Sequence, residues 1–411
     1  MDIFSWEELK SAITGNATAF RKRVRLSPAG GQGSKVFPPT YVMGDNGGYY
    51  AWERRRIDNE VVQTVLLDSV QSQANRIEQA LLNAYRMGEL KMPLLQVDFR
   101  SYIPELNEAG VITTLDAPHR IADAIFRDSL IGGKKFRESD IGKEFTEATI
   151  RNATGMLKWC PHALVFGIWD STGSMGGLGN KFQRVITSEI VGFKAEKGVH
   201  TSSRMDPLGI TTVADVYEDE NEGWTLDIKS AKKNKKGEAV KIDAPSKLVH
   251  GNIPPTIEID SRTKEPLRGG VTIDYALQTS VISLPALRRL HFPIDGRESA
   301  DYDYAGQSLL AALALYGLVR MESNGYDLRS GCLLIPVNNA PVEIVMNDGS
   351  AKNLELDSKR AQILLETAIA EARKAGLPWD DKIVTLQPEQ RLVDLVRVSR
   401  STRKASKKKE V

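Results

Sequence analysis

Cysteine is scarce in this sequence. Only Cys160 and Cys332 occur in 411 residues, and neither belongs to a CxxC pair or has a histidine at ligand spacing. Two isolated thiols cannot supply the disulfide framework of a small secreted domain or a four-cysteine zinc site. The sequence therefore predicts neither thiol chemistry nor structural zinc.

Common catalytic motifs are also missing. The five histidines are scattered singly, without an HExxH pattern, and Ser174 lacks the first glycine of a Gly-x-Ser-x-Gly elbow. Asp301 and Asp303 could hold a metal, but acidic residues are equally typical of the first turn of a helix. We expect a binding protein that is not an enzyme and has no metal or cofactor.

The glycine-rich loop at residues 171–181 invites a nucleotide-binding interpretation. Asn180 separates Gly179 from Lys181, however, so the Gly-Lys-Ser/Thr of a Walker loop is absent. Phe182 stands where a dinucleotide fingerprint needs its third glycine. Two readings stay open: a plain hairpin turn, and a turn whose backbone amides touch phosphate.

Long hydrophobic runs are absent. The longest, Leu309 to Val319, is about half the ~20 residues that cross a bilayer. The first residues lack the charged-then-apolar order of a signal peptide. We expect a cytoplasmic protein without a membrane partner.

Charge is unevenly distributed. The formal net charge is +2, but residues 397–411 alone carry +6, which leaves −4 on the body. A polyanion would have to bind through local positive potential. One basic segment, residues 20–60, places Tyr49, Tyr50 and Trp52 just before three arginines. Such aromatics suit unstacked bases, although a solvated hairpin explains the pattern equally well.

The hydrophobic periodicity mixes strands and helices. Predicted strands cover 61–68, 94–99, 163–170, 182–193, 270–284 and 328–337, and predicted helices cover 72–86, 118–130, 143–158, 303–321 and 358–375. Because strict βαβ alternation is absent, the pattern predicts an α+β fold. The predicted parts are a lead-in and basic arm (1–60), a core (61–340) with an inserted segment at about 211–265, a helical segment (341–396) and a basic disordered tail (397–411).

Several literal segments resemble one known family. They are LDSVQSQANRIE (67–78), HRIAD (119–123), RDS (127–129), ALVFGIWDSTG (163–173), GGLGNKFQR (176–184), SEIVG (188–192), SRMDPLGI (203–210), HGNIPP (250–255), GGVTI (269–273), ALRRL (286–290) and GYDLRS (325–330). Together they resemble the Cas-seven-type backbone subunit, of the RAMP superfamily, of type I-G (formerly I-U) CRISPR effector complexes. The resemblance extends from about residue 35 to 335.

That resemblance implies a fold and a set of partners. The fold is an RRM-like (ferredoxin-like) palm with inserted finger and thumb segments. The subunit would polymerise head-to-tail along the spacer of a crRNA and present it for pairing with target DNA in antiviral defence. Other partners would be the large subunit, a Cas five/six-type fusion subunit and a helicase-nuclease. No RNP-type aromatic octapeptide occurs, so we do not expect bases to stack on the palm sheet.

A guide must accept any spacer, so we expect contacts to ribose and phosphate. The candidate RNA-binding residues are Arg76, Arg120, Lys143, Arg151, Gly176, Gly177, Gly179, Lys181, Arg184, Tyr49, Tyr50 and Trp52. Either the aromatic trio or the segment 215–243 could form the thumb. The alternatives are a type III-like subunit that cleaves target RNA with a metal, through Asp45 or Asp206, and a nucleotide-binding enzyme built on the 171–181 loop.

Overall fold

The computed structural model describes residues 2–43, 46–102, 109–170, 181–210, 215–221, 223–259 and 268–410, without the side chains of 43, 46–47 and 401–410. The chain forms two compact units. The main unit comprises Met1–Pro39, Tyr50–Ala195 and Ile273–Val393, and the second unit comprises Thr40–Tyr49, Glu196–Thr272 and Asp394–Val411. Among the described residues, no helix has the length and apolar character that a bilayer crossing needs.

Helices are concentrated in the main unit. In chain order they are α1 (Trp6–Thr14), α2 (Val70–Arg86), α3 (Ala124–Arg127), α4 (Asp140–Thr146), α5 (Thr154–Trp159), α6 (Pro161–Phe166), α7 (Leu284–Arg288), α8 (Ala300–Ser323), α9 (Ser358–Lys374) and α10 (Gln390–Glu410). Short 3₁₀ turns occupy Arg120–Ala122, Phe136–Glu138 and Pro245–Leu248.

Strands occur in both units. They are β1 (Asp2–Ile3), β2 (Ala17–Pro28), β3 (Thr40–Met43), β4 (Asn46–Tyr50), β5 (Trp52–Ile57), β6 (Glu60–Asp68), β7 (Leu94–Asp98), β8 (Val111–Thr113), β9 (Ser129–Ile131), β10 (Lys134–Lys135), β11 (Ile168–Trp169), β12 (Lys181–Phe182), β13 (Ile186–Phe193), β14 (Glu196–Lys197), β15 (Thr201–Arg204), β16 (Tyr217–Glu218), β17 (Trp224–Thr225), β18 (Ile253–Ile257), β19 (Val271–Thr272), β20 (Tyr275–Ser283), β21 (Tyr326–Arg329), β22 (Cys332–Pro336), β23 (Val342–Met346), β24 (Ala351–Glu355) and β25 (Ile383–Pro388).

The large sheet of the main unit contains the palm. Ten of the described strands form it, in the order β1-β24-β23-β2-β20-β13-β6-β5, with β21 and β22 joined beside β2. At its centre, β23, β2, β20 and β13 pair antiparallel. Along the chain, β2, α2, β13, β20, α8 and β23 follow the β-α-β-β-α-β order of a ferredoxin-like motif. The predicted α+β class with an RRM-like palm is confirmed.

Local sequence explains why these elements form. Ser69 caps α2 by accepting a hydrogen bond from the Ser72 amide at 3.2 Å. Along β20, alternate residues are buried, as expected for a strand with one covered face. Helix α8 is buried around its whole circumference from Gly306 to Val319, because α1, α2, α6 and α9 pack against it.

A smaller sheet completes the main unit. Its order is β10-β9-β25-β7-β8, and β25 pairs parallel to β7 while β9 pairs antiparallel to β25. Residues 129–135 therefore join a strand from the far end of the chain, which periodicity alone does not reveal.

The second unit has little core. Its strands form two-stranded ladders, β3-β4, β14-β19, β15-β18 and β16-β17. Val216 and Ile242 form a small buried cluster with Ile210 and Leu248. The predicted insert at 211–265 falls within this unit, whose central segment is wider, at Glu196–Thr272.

Other elements differ from the sequence predictions. Residues 20–28 belong to β2, a central strand of the large sheet, so the core begins well before residue 61.

Residues 161–166 form a helix where a strand was predicted, because a short apolar run fits a buried helix as well as a buried strand. The tail is helical to Glu410, and its Lys, Arg, Ala and Glu residues are good helix formers. The helices predicted at 118–130 and 143–158 are broken into shorter pieces.

Candidate nucleic-acid interface

Three of the predicted RNA-binding residues meet at one groove in the main unit. Arg120, Lys181 and Arg184 line an open groove of about 450 Å³, together with His119, Phe166, Gly167 and Trp169. The groove lies at the base of the β11–β12 ladder, where Ile168 pairs with Phe182 and Trp169 pairs with Lys181. Beyond these strands, residues 171–180 lie outside the described residues, and so do the predicted contacts Gly176, Gly177 and Gly179.

Arg120 is the buried residue that links the elements lining the groove. Its guanidinium makes two 2.7 Å hydrogen bonds to the Glu78 carboxylate and donates to the Gly167 carbonyl at 2.8 Å. The pair is buried, and Arg120 adopts a positive φ of 52°. A left-handed backbone is strained for a residue with a side chain, and it persists only where surrounding contacts hold the residue in place. Arg120 therefore ties α2 to the start of β11.

Gly167 is required at this junction. Its φ is +82°, and a Cβ there would lie 2.9 Å from the backbone nitrogen of Arg184. A glycine lets the two strands approach closely where any side chain would clash. Arg184 reinforces the same point, since its Nε donates to the Phe166 carbonyl at 3.1 Å.

The groove carries an excess of positive charge. Burial, and then the nearby charge of Arg120, lower the pKa of Arg184, and Glu78 partly offsets that effect. Glu78 bonds to Arg120 and acts on Arg184 only through its charge. The Nη atoms of Arg184 and the exposed ammonium of Lys181 have no hydrogen-bond partner among the described residues. Such a surface favours a phosphate.

Trp169 lines the same groove and is a candidate site residue that the sequence reasoning missed. Its side chain is 58% exposed at the groove. The ladder register places it opposite Lys181, so an aromatic face and a cation lie side by side. The signal was present in the sequence, because Trp169 ends an apolar run just before the glycine-rich loop.

Arg76 lies away from this groove. It donates to Asp68 at 2.9 Å and to the backbone carbonyl of Leu328, and Asp68 also accepts from Arg329 at 3.2 Å. Asp68 is fully buried. The guanidinium of Arg76 therefore joins α2 to β21, and an RNA contact there stays a prediction.

The remaining predicted residues lie elsewhere. Lys143, on α4, and Arg151 are both exposed, and neither lines the groove. Tyr49, Tyr50 and Trp52 are half-buried on β4 and β5. Their roles stay predictions.

The open face of the palm sheet carries arginines that sequence reasoning assigned to an arm. Arg21, Arg23 and Arg25 alternate with buried residues along β2, and Glu343 pairs with the first two. The Arg25 guanidinium lies 4.0 Å from the Tyr275 ring centroid, and Tyr275 stacks on Phe193 at 5.0 Å. This aromatic ring is therefore engaged within the protein.

Asp206, the residue that a cleavage reaction would use, is engaged by backbone. It accepts hydrogen bonds from the amides of Gly251 at 2.7 Å and Leu208 at 3.1 Å. Within the described part of the chain, no three His, Cys, Asp or Glu side chains lie together so that they could hold a metal ion. Asp45 lies outside the described residues.

Comparisons with known proteins agree with the sequence resemblance. Residues 20–197 match the family model of CRISPR-associated protein GSU0053. The crystal structure of Thermofilum pendens Csc2 aligns over 92% of this chain and 83% of that chain, at 10% identity and a TM-score of 0.30. A superposition that loose carries no argument. No curated protein is similar enough to count as a match. Over residues 20–197, the resemblance to a CRISPR-associated family therefore has the support of a matching family model.

Proposed function

We propose that the chain is a crRNA-binding backbone subunit of a type I-G CRISPR interference complex. It polymerises along the guide spacer and presents the guide for pairing with target DNA in antiviral defence. The observation that carries the proposal is the Trp169–Lys181 pair beside Arg184, inside the segment that matches the CRISPR-associated family model.

The groove suits binding that ignores base sequence. Lys181 and Arg184 offer N–H donors to phosphate oxygens, and a cation cannot distinguish one base from another through a phosphate. The Trp169 indole can stack on any base, because every base has a π face. Watson-Crick edges stay free for a target strand under such a grip.

Repetition along one RNA strand needs a head-to-tail interface. Such heterologous contacts form open helical filaments whose length the RNA sets. The further partners would be the large subunit, the Cas five/six-type fusion subunit and the helicase-nuclease.

Co-expression tests the proposal directly. The full chain is purified with and without a CRISPR transcript, and its mass and 260/280 nm absorbance ratio are measured. We expect an RNA-containing polymer only with the transcript. Lys181→Glu combined with Trp169→Ala should shorten or abolish it, whereas Lys374→Glu, at a lysine on the α9 surface, should not. Monomeric, RNA-free protein at low salt would contradict the proposal.

The absence of catalysis stays a prediction. Labelled complementary RNA and magnesium, incubated with the assembled complex, should give no cuts at regular intervals. Regular cuts would favour the alternative of a type III-like nuclease.

A further inference from the structure

A second groove, of about 510 Å³, opens on the helix-covered side of the palm sheet. Such a volume lies within the roughly 300–1,000 Å³ of small-molecule sites. Lys22 of β2 and Glu322 of α8 form its floor, and Asn338, Asn339, Ser323 and Ser358 supply amides and hydroxyls around them. Apolar side chains, including Val24 and Leu356, contribute to its walls.

The floor is a buried ion pair whose hydrogen bonds are incomplete. Lys22 Nζ donates to Glu322 Oε2 at 2.6 Å, and the two side chains are 7% and 10% exposed. Glu322 Oε1 is buried and has no hydrogen-bond partner among the described residues. The Lys22 ammonium has three donors, and its bond to Glu322 uses one of them. Buried charges are costly unless their hydrogen bonds are completed, so this floor is suited to a ligand that completes them.

The unused donors of Lys22 and acceptors of Glu322 determine which hydrogen-bonding edge a ligand must present. Lys22 only donates, and both Glu322 oxygens still accept, since Oε2 keeps a second lone pair beside its bond to Lys22. The complementary edge has one acceptor followed by two donors. Guanine has this order in its O6, N1–H and N2–H₂ groups. Uracil would turn a carbonyl oxygen toward the carboxylate, cytosine would turn its N3 lone pair toward it, and adenine offers a single donor group.

We propose that this groove binds a guanine base, with O6 accepting from Lys22 and with N1–H and N2–H₂ donating to Glu322. Asn338 and Ser358 on the rim are suited to the sugar of the nucleotide, and its phosphate has to lie away from the Asp357 carboxylate on the same rim. The groove and the β11–β12 groove have separate linings. The inference therefore does not rest on the proposed function.

Nucleotide titration by calorimetry tests the proposal on the full chain. GMP should bind, while IMP, which lacks the N2 amino group, should bind roughly tenfold more weakly or worse, because a hydrogen bond to a charged group is lost. AMP, UMP and CMP should bind more weakly still. Equal binding of all the nucleotides, or no binding of GMP at millimolar concentration, would overturn the proposal.

Variants test whether GMP binds at the Lys22–Glu322 ion pair. Glu322→Gln alone could unfold the protein, because it leaves Lys22 buried without a counter-charge. The double variant Lys22→Met/Glu322→Leu replaces both charges by apolar groups of similar size, which is often tolerated. It should keep its melting temperature and lose the GMP-induced rise in that temperature. Glu371→Gln, at a carboxylate on α9 outside the groove, should keep the rise, and so should Lys181→Glu. A GMP-induced rise that survives in the double variant would refute the assignment.

Two RNA probes distinguish a guanine base within an RNA strand from a free guanine nucleotide. Hexauridine and the same strand with one guanosine are titrated against the wild type and the double variant. A guanosine preference that disappears in the double variant indicates a base in an RNA strand, and binding of GMP alone indicates a free nucleotide. Both outcomes support the proposal. Failure of every guanine probe, together with self-association that is lost in the double variant, would assign the groove to a second copy and overturn it.

Discussion

Trp169 and Lys181 lie directly opposite each other across the β11–β12 ladder, and both side chains are exposed. A large aromatic face and a mobile cation at one cross-strand position can grip a nucleotide through its base and its phosphate together. Arg120, paired with the buried Glu78, supports this position by bonding the carbonyl of Gly167, the residue just before β11.

Removal of the indole should weaken RNA binding. Stacking contributes about 1–3 kcal/mol per base, so Trp169→Ala should lower affinity for single-stranded RNA roughly 5- to 150-fold. Fluorescence anisotropy with RNAs of arbitrary sequence measures the change. Trp169→Phe should keep part of the affinity, and Tyr304→Ala, at an exposed tyrosine outside the groove, should keep all of it. An unchanged affinity in Trp169→Ala would exclude stacking there.

Salt dependence reports the phosphate contact of Lys181. Lys181→Gln should reduce the slope of log affinity against log salt by about 0.7, the value for one contact to a single strand. Lys374→Gln should leave the slope unchanged. The same titration of Lys143→Gln and Arg151→Gln decides whether these exposed residues touch phosphate, and an unaltered slope would remove them from the interface.

Arg120 should prove to be a structural residue. Arg120→Met leaves Glu78 buried without its two hydrogen bonds, and the free energy of unfolding should fall by about 3–5 kcal/mol. Urea denaturation measures this loss of stability, and the double variant Arg120→Met/Glu78→Leu should lose less stability than Arg120→Met. A fully stable Arg120→Met protein with lost RNA affinity would instead indicate direct RNA contact.

The loop around Asp206 should loosen only in acid. The backbone amide of Gly251, and then that of Leu208, hold the pKa of Asp206 below its ordinary value of 3.8. A carboxyl with a lowered pKa stabilises the fold above its unfolded value, and this contribution is lost as the pH falls through the folded value. The Gly251 amide chemical shift should therefore show a step below about pH 4 that is absent in Asp206→Asn. A step below pH 4 that persists in Asp206→Asn would contradict this arrangement.

Both cysteines should be inert in the native protein. Burial raises the pKa of Cys160 to about 12 and that of Cys332 to about 11. Because the thiolate is the reactive form, iodoacetamide at pH 8 should label neither thiol in the folded chain and both after denaturation. Mass spectrometry counts the adducts. Rapid native labelling of Cys160 would show that the segment around α6 opens.

Long periodic segments were predictable. The helices predicted at 72–86, 303–321 and 358–375 and the strand at 61–68 are present in the structure with small shifts of their ends. Their patterns span enough residues for a buried face to show. The helix at 161–166 was not predicted because a segment of six mostly apolar residues is too short to show a period.

The site was predictable only in part. Lys181 and Arg184 lie close together in the sequence, so one resembling segment identified both. The sequence could not show that Arg120 would be neutralised by Glu78 or that Arg76 would bond Asp68. An ion pair depends on which elements pack together, and composition does not record this.

The sequence by itself determined the α+β class, the weakly hydrophobic insert and the resemblance to a CRISPR-associated family, because periodicity, composition and literal motifs are local properties of the chain. Only the tertiary structure decided that β2 runs through the middle of a sheet, that Trp169 faces Lys181, and that Lys22 and Glu322 meet at the floor of a groove. Each of these depends on pairing between residues far apart in the chain, where burial and strand register determine which side chains meet.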